Sequence, residues 1–204
     1  LSLIIDDTRI RALVQADSPD WAFGDSLLAV YQKHPAFGGL QLADRPGVDD
    51  ISPLRAVMDT LQLDSANVSW FVNLYPNYAA PSDWDAEHYS TYLNAMADSL
   101  PLDFLSVDHF GIIDDTIRYD YYRNLDRLRR IEQRTGTPFW GMILNIPFND
   151  YPVPAAAHLR LQAFSALAYG AKGVQYFAFH PPEDTPQYDY GIGMTDQDGN
   201  LTRL

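Results

Sequence analysis

The chain has no cysteine, which removes disulfides and thiolate metal sites from consideration. It is also short of positive charge. Fourteen lysines and arginines stand against 27 aspartates and glutamates, a formal net charge of −13. Such a field repels polyanions, so it disfavours nucleic acid and anionic membrane as partners and leaves a neutral ligand unaffected. No apolar run approaches the ~18 residues of a membrane-crossing helix, so no membrane partner is expected. The opening residues LSLII carry neither an initiator methionine nor a basic segment. They do not read as a secretion signal, but as a chain that begins partway through a fold. A phosphate-binding glycine loop, a nucleotide fingerprint and a nucleophile elbow are all missing, and no cofactor is expected. The histidines (34, 88, 109, 158 and 180) are scattered, and His34, His88 and His158 fall on helical segments. Without a close-spaced ligand pair no metal site is expected.

What is present is ordinary for a globular domain: 204 residues, 47% hydrophobic and 20% charged, enough for one sizeable core. The most informative stretch is 155–182, AAAHLRLQAFSALAYGAKGVQYFAFHPP. A helical apolar pattern runs into Gly170 and Gly173, then into a short hydrophobic run with Tyr176 and His180 toward its end. The expectation is a helix, a glycine stop and a buried strand. Similar units recur along the chain. Short apolar runs at 1–7, 37–42, 69–74, 103–107, 139–144 and 173–179 read as six strands. Helical patterns at 21–34, 54–61, 85–100, 119–134 and before Gly170 separate them. In the fourth helix Tyr121, Tyr122, Leu125, Leu128 and Ile131 would face inward and the arginines outward.

Regular strand–helix alternation implies parallel strands with helical crossovers. An open doubly wound sheet and a (β/α)8 barrel both satisfy it. The missing glycine fingerprint and the polar and aromatic residues at nearly every strand end favour the barrel. The expected fold is therefore α/β, a partial (β/α)8 TIM barrel of about six βα units with a parallel sheet. A full barrel needs about 250 residues and eight strands. Residues 1–204 are thus expected to be one barrel domain lacking its first two βα units and its last helix. The missing segments would come from a longer natural chain, because six strands would leave two open edges.

In parallel α/β folds the ligand sits at the carboxyl ends of the strands. The candidates there are Asp6, Asp7, Gln41, Asp44, Arg45, Asn73, Tyr75, Asn77, Asp108, His109, Trp140, Asn145, Tyr176 and His180. Carboxylates and amides hydrogen-bond hydroxyls and aromatic faces cover a pyranose, so the mixture suits a carbohydrate, and the expected substrate is a neutral glycan. Glycoside hydrolysis uses two carboxyl groups about 5–10 Å apart. Asp44 and Asp108 are the candidate pair. Arg45, Asn73, Tyr75, His109, Asn145 and His180 are candidate sugar-binding residues, with Trp140 and Tyr176 stacking. His109 follows Asp108 on the opposite strand face, so an outward structural role competes for it. Asp6-Asp7 could hold a cation, but helix capping or pairing with Arg9 is the commoner use of such a pair.

Several stretches carry a family resemblance: HPAFGGLQLADRP (34–46), FVNLYPNYA (71–79), DFLSVDHFGI (103–112), PFWGM (138–142) and LRLQAFSALAYGAKGVQYFAF (159–179). Together they resemble glycoside-hydrolase-like TIM barrels of gut Bacteroidetes, distantly related to the family 42 β-galactosidases. The resemblance implies that the strands here are barrel strands three to eight. It implies action on a carbohydrate and an exported, periplasmic or secreted, protein. It also implies an acid/base glutamate after the fourth barrel strand, where this chain has Asp44-Arg45-Pro46. Arg45 cannot act as a general acid. The nucleophile position falls on Ile143. The arginine favours one alternative, a catalytically inactive sugar-binding barrel; a metal-dependent hydrolase barrel is a separate third reading.

Overall fold

A computed structural model describes residues 2–61, 63 and 68–202. Leu1, the start of the first expected strand, lies outside them. The chain divides into two compact units. The first is Leu1–Tyr75, Ala79–Ser106 and Gln133–Thr137. The second is Pro76–Tyr78, Val107–Glu132 and Pro138–Leu204.

In the first unit the elements run β1 (Leu3–Asp6), α1 (Thr8–Gln15), α2 (Trp21–Gln32), β2 (Phe37–Asp44), a 3-10 turn (Val48–Asp50), α3 (Ile51–Thr60), β3 (Ser69–Leu74), α4 (Pro81–Trp84), α5 (Tyr89–Ser99) and the start of β4 (Leu105–Val107). The strands lie in the order β1-β2-β3-β4, and β1–β2 and β2–β3 are parallel. The core is built from Leu40 and Leu42 of β2, Val72 and Leu74 of β3, Leu54 and Val57 of α3, and Tyr92, Leu93 and Met96 of α5, all essentially solvent-free. The expected faces Leu54/Val57/Met58/Leu61 and Tyr89/Tyr92/Leu93/Met96 are the buried faces observed. Their i, i+3, i+4 spacing puts them on one side of a 3.6-residue helix.

The second unit continues from β4 through β5 (Ile112–Ile113), β6 (Thr116–Ile117), α6 (Tyr121–Thr135), β7 (Phe139–Leu144), α7 (Ala156–Ala168) and β8 (Gly173–Phe177). Its larger strands lie in the order β4-β7-β8, with β7 and β8 parallel. Strand order therefore follows chain order in each unit, with helices as crossovers. This is the α/β, parallel arrangement of a partial (β/α)8 barrel. Among the described residues no helix is long and apolar enough to cross a membrane.

Several local expectations are corrected. Helix α1 was not expected. Asp7 caps it by accepting the Arg9 N–H, and Ile10, Leu13 and Val14 form its buried stripe. The first strand, though an apolar run, is partly exposed. Leu3 is 49% and Ile4 40% exposed, because β1 ends the strand order and has one neighbour. The last strand is half-buried for the same reason. Tyr122 is exposed, and Asn124 takes its place on the buried face of α6. Strands β5 and β6 form an unexpected hairpin whose turn residues, Asp114 and Asp115, both have positive φ (49° and 57°). Two such residues make the turn that matches strand twist, and aspartate tolerates that conformation.

Candidate functional site

In the first unit the carboxyl ends of three strands are joined by side chains. Asp44 closes β2 and is in register with Asn73 of β3. Its Oδ1 accepts a hydrogen bond from Asn73 Nδ2 at 2.9 Å, and Asn73 Oδ1 accepts one from Ser106 Oγ of β4 at 3.0 Å. Ser106 and Asn73 are buried, at 0% and 8% exposure, whereas the Asp44 side chain is 37% exposed. A buried relay thus orients a carboxylate that reaches solvent. Arg45 follows in the left-handed region (φ 54°), its N–H donating to Asn73 O at 2.7 Å. A non-glycine residue held there is the kind of local strain that clusters at functional sites. Its guanidinium stands 3.5 Å from Asp44 Oδ2, so both Asp44 oxygens are engaged.

Tyr75, just past β3, is held from behind by helix α5. Its N–H donates to Tyr92 Oη at 3.1 Å, and its carbonyl accepts from Tyr89 Oη at 2.9 Å. Burial pushes its phenol above the ordinary tyrosine range. Gln41 lies inside β2, away from the strand end. Asp7 serves α1: Arg9 donates to both of its oxygens, at 3.0 and 2.7 Å, and Tyr31 Oη also donates to it. The Arg9 guanidinium holds the Asp7 carboxyl well below the usual carboxylate range. Asp6 pairs with Arg11 at 3.0 Å. Capping and ion pairing account for both aspartates.

In the second unit three βα loops converge. Tyr78, which lies beyond β3, donates its hydroxyl to the Asp108 carbonyl at 3.3 Å. Its ring lies beneath the Arg118 guanidinium, 3.9 Å from ring centroid to Cζ. Arg118, between β6 and α6, also reaches Tyr151 Oη, on the loop after β7, at 3.5 Å. The hydroxyls of Tyr78 and Tyr151 are 3.4 Å apart. Burial, reinforced by Tyr151 and Asp108, drives the Tyr78 phenol far above its usual range, so it remains a donor. The β5–β6 hairpin presents Arg118 by returning the chain to its own base, where the Arg118 N–H donates to Gly111 O at 2.9 Å. Gly111 is needed there, because a Cβ would lie 2.6 Å from the Tyr121 ring.

His109 is enclosed. It is 3% exposed, with its ring 5.1 Å from Tyr78 and 5.5 Å from Tyr121. Its Nε2 is 3.6 Å from Asp120 Oδ1, too long for a hydrogen bond. Burial pushes the imidazole below its ordinary 6.5; Asp120 opposes this shift and Arg118 adds to it. A histidine kept neutral in the fold but free to protonate when unfolded loses stability as pH falls through the unfolded value. We expect the urea midpoint of the protein to fall between about pH 8 and about pH 5, and His109→Gln to flatten that slope. A flat profile in the unaltered protein would contradict it.

The remaining expected site residues separate by position. Asn145 is fully buried and ties β7 to β8: its N–H donates to Phe177 O at 3.0 Å and its Nδ2 to Ala178 O at 2.8 Å. Asn77 donates to Asp120 O at 3.3 Å. Trp140 is the second residue of β7, at the amino end of its strand, and packs on Gly173, where a Cβ would lie 2.8 Å away. That end is opposite the one where a sugar-stacking role was expected. Tyr176 is 45% exposed on β8, and His180 is exposed with Nδ1 2.9 Å from Thr195 Oγ1. Among the described residues no group of three or more histidines and carboxylates is placed to hold a metal ion. Sequence reasoning missed Tyr78, Arg118 and Tyr151. Of these, only Tyr78 had a signal, inside the FVNLYPNYA segment.

No protein-family model matches the chain, and no curated protein matches it. Solved structures do. A provisionally assigned alpha-L-fucosidase from Bacteroides thetaiotaomicron superposes with a TM-score of 0.52 at 14% identity, covering 76% of this chain and 53% of its own. A GH5_18 protein from Bifidobacterium longum subsp. infantis gives 0.56 at 13% identity, covering 89% and 48%. A 2,3-dimethylmalate lyase gives 0.47 at 10% identity, covering 84% and 62%. The chain spans about half the length of the first two. At these identities the likeness is one of fold: the chain has the fold seen in part of two glycoside hydrolase structures.

Proposed function

We propose that this chain belongs to a glycoside-hydrolase-like barrel that acts on a glycan, with Asp44 and Asp108 as the carboxyl pair. The observation that carries the reading is the Ser106–Asn73–Asp44 relay, which aims a solvent-reaching carboxylate from the carboxyl end of a parallel strand. Asp108 likewise stands just past the carboxyl end of β4. The likeness of fold to two glycoside hydrolase structures supports the same reading. Export to the periplasm or exterior is part of the proposal, as the sequence resemblance implies.

The test is hydrolysis of a panel of aryl glycosides by the longest natural chain that contains this sequence. Turnover is expected to fall at least roughly 10²-fold in Asp108→Asn and in Asp44→Asn, the scale of a lost acid–base or nucleophilic group. Turnover unchanged in both variants would remove the pair. A second reading, sugar binding without turnover, is favoured by the engagement of both Asp44 oxygens and by the arginine beside it. Glycan binding without hydrolysis, with activity gained in Arg45→Glu, would select it.

A further inference from the structure

Arg118 differs from seven other arginines in the company it keeps. Arg9, Arg11, Arg45, Arg55, Arg129, Arg130 and Arg134 each pair with an aspartate at 3.5 Å or less. Arg118 is half-buried, yet its contacts are the Tyr78 ring and the Tyr151 hydroxyl. Its Nε is buried without a hydrogen-bond acceptor, and no carboxylate among the described residues lies within ion-pair distance of it. The nearby Asp120 carboxyl feels the Arg118 charge but makes no ion pair with it, and taking a cation partly out of water without a directly paired anion is costly. The ring face beneath it offsets only about 0.5–2 kcal/mol of such a cost.

The placement adds to the chemistry. Tyr78, Arg118 and Tyr151 come from three separate βα loops, the part of a parallel α/β fold where ligands are held. In a chain of net charge −13, an anion is repelled over most of the surface and can settle where a cation lacks its own acid. A guanidinium seated over a ring keeps its donors in one plane, which matches a carboxylate better than it matches a hydroxyl.

Resting on the carbohydrate reading above, we propose that Arg118, seated on Tyr78 and beside Tyr151, is a subsite for the carboxylate of an acidic sugar residue. The ligand is then not wholly neutral, as net charge alone suggests: one of its residues is a uronic acid. Arg118 binds and orients that residue, while the carboxyl chemistry stays with Asp44 and Asp108.

The experiment is a binding series on the unaltered protein by calorimetry at low salt. The probes are methyl β-D-glucuronide, the methyl ester of that glycoside and methyl β-D-glucoside, each with its galacto counterpart. One uronide is expected to bind about tenfold tighter than its ester and its neutral parent, the gain of one charge-assisted contact. Salt should erode that margin and Arg118→Gln should abolish it, with Arg118→Lys restoring part. Equal binding of acid, ester and neutral glycosides overturns the subsite and leaves the carbohydrate reading standing. Binding of none overturns both. A sulfated glucoside that matches the uronide shows an anion site without carboxylate selectivity, and overturns the uronic-acid assignment.

Discussion

Gly39→Ala is expected to unfold the first unit, or to cost it more than about 4 kcal/mol, a loss few single substitutions cause. Gly39 lies in β2 with a φ of +152°, which side chains rarely adopt. A Cβ there would stand 2.1 Å from the carbonyl oxygen of Ser69 and 3.0 Å from its carbonyl carbon. Those are backbone atoms of β3, directly in register with Gly39, so no rotamer change relieves the clash. The strands must separate, and the separation propagates to Asp44 and Asn73 at the far end of the same pairing. Urea denaturation read by tryptophan fluorescence measures the cost, since Trp70 of β3 is adjacent. A loss under about 1 kcal/mol, the ordinary size of a point-mutant effect, would show that the two strands can part cheaply.

Gln162→Leu is expected to cost the second unit about 2–4 kcal/mol, although it keeps the size of the side chain and adds apolar surface. Gln162 sits on α7 at 2% exposure. Its Oε1 accepts the Leu144 N–H at 3.0 Å, and its Nε2 donates to the Leu144 carbonyl at 3.2 Å and to His158 O at 3.3 Å. One amide therefore satisfies both main-chain groups of the last residue of β7. Leucine leaves them without that partner in a dry interior, where an unmet donor or acceptor costs its full desolvation. Hydrogen exchange gives a local readout: the Leu144 amide should exchange faster in the variant than its neighbours do. Unchanged protection there, with an unchanged melting point, would refute the account.

Much of the fold was legible because each major strand is a short apolar run bounded by proline, glycine or a polar residue. What escaped was short. Helix α1 has eight residues, and its stripe of Ile10, Leu13 and Val14 follows charged residues that resemble a loop. The β5–β6 hairpin has two residues per strand, too few to show alternation. The site divides the same way. Asp44, Asn73 and Tyr75 stand at or just past the ends of strands, a placement the sequence alone can give. Trp140 is expected among the carboxyl-end residues, whereas it stands second in β7, at the amino end. Arg118 and Tyr151 lie deep in loops. Chain folding brings them together over a separation of 33 residues, and no spacing rule reports such a meeting.

Tyr92 has a consequence for how this scaffold can change. Its hydroxyl takes the Tyr75 N–H and gives its own proton to Pro46 O at 3.0 Å, so a single helical residue clasps the segments after β2 and β3 together. An insertion or deletion in one must be answered in the other, or the clasp opens. Anyone transplanting these segments onto a sister scaffold should move them with α5 as one cassette.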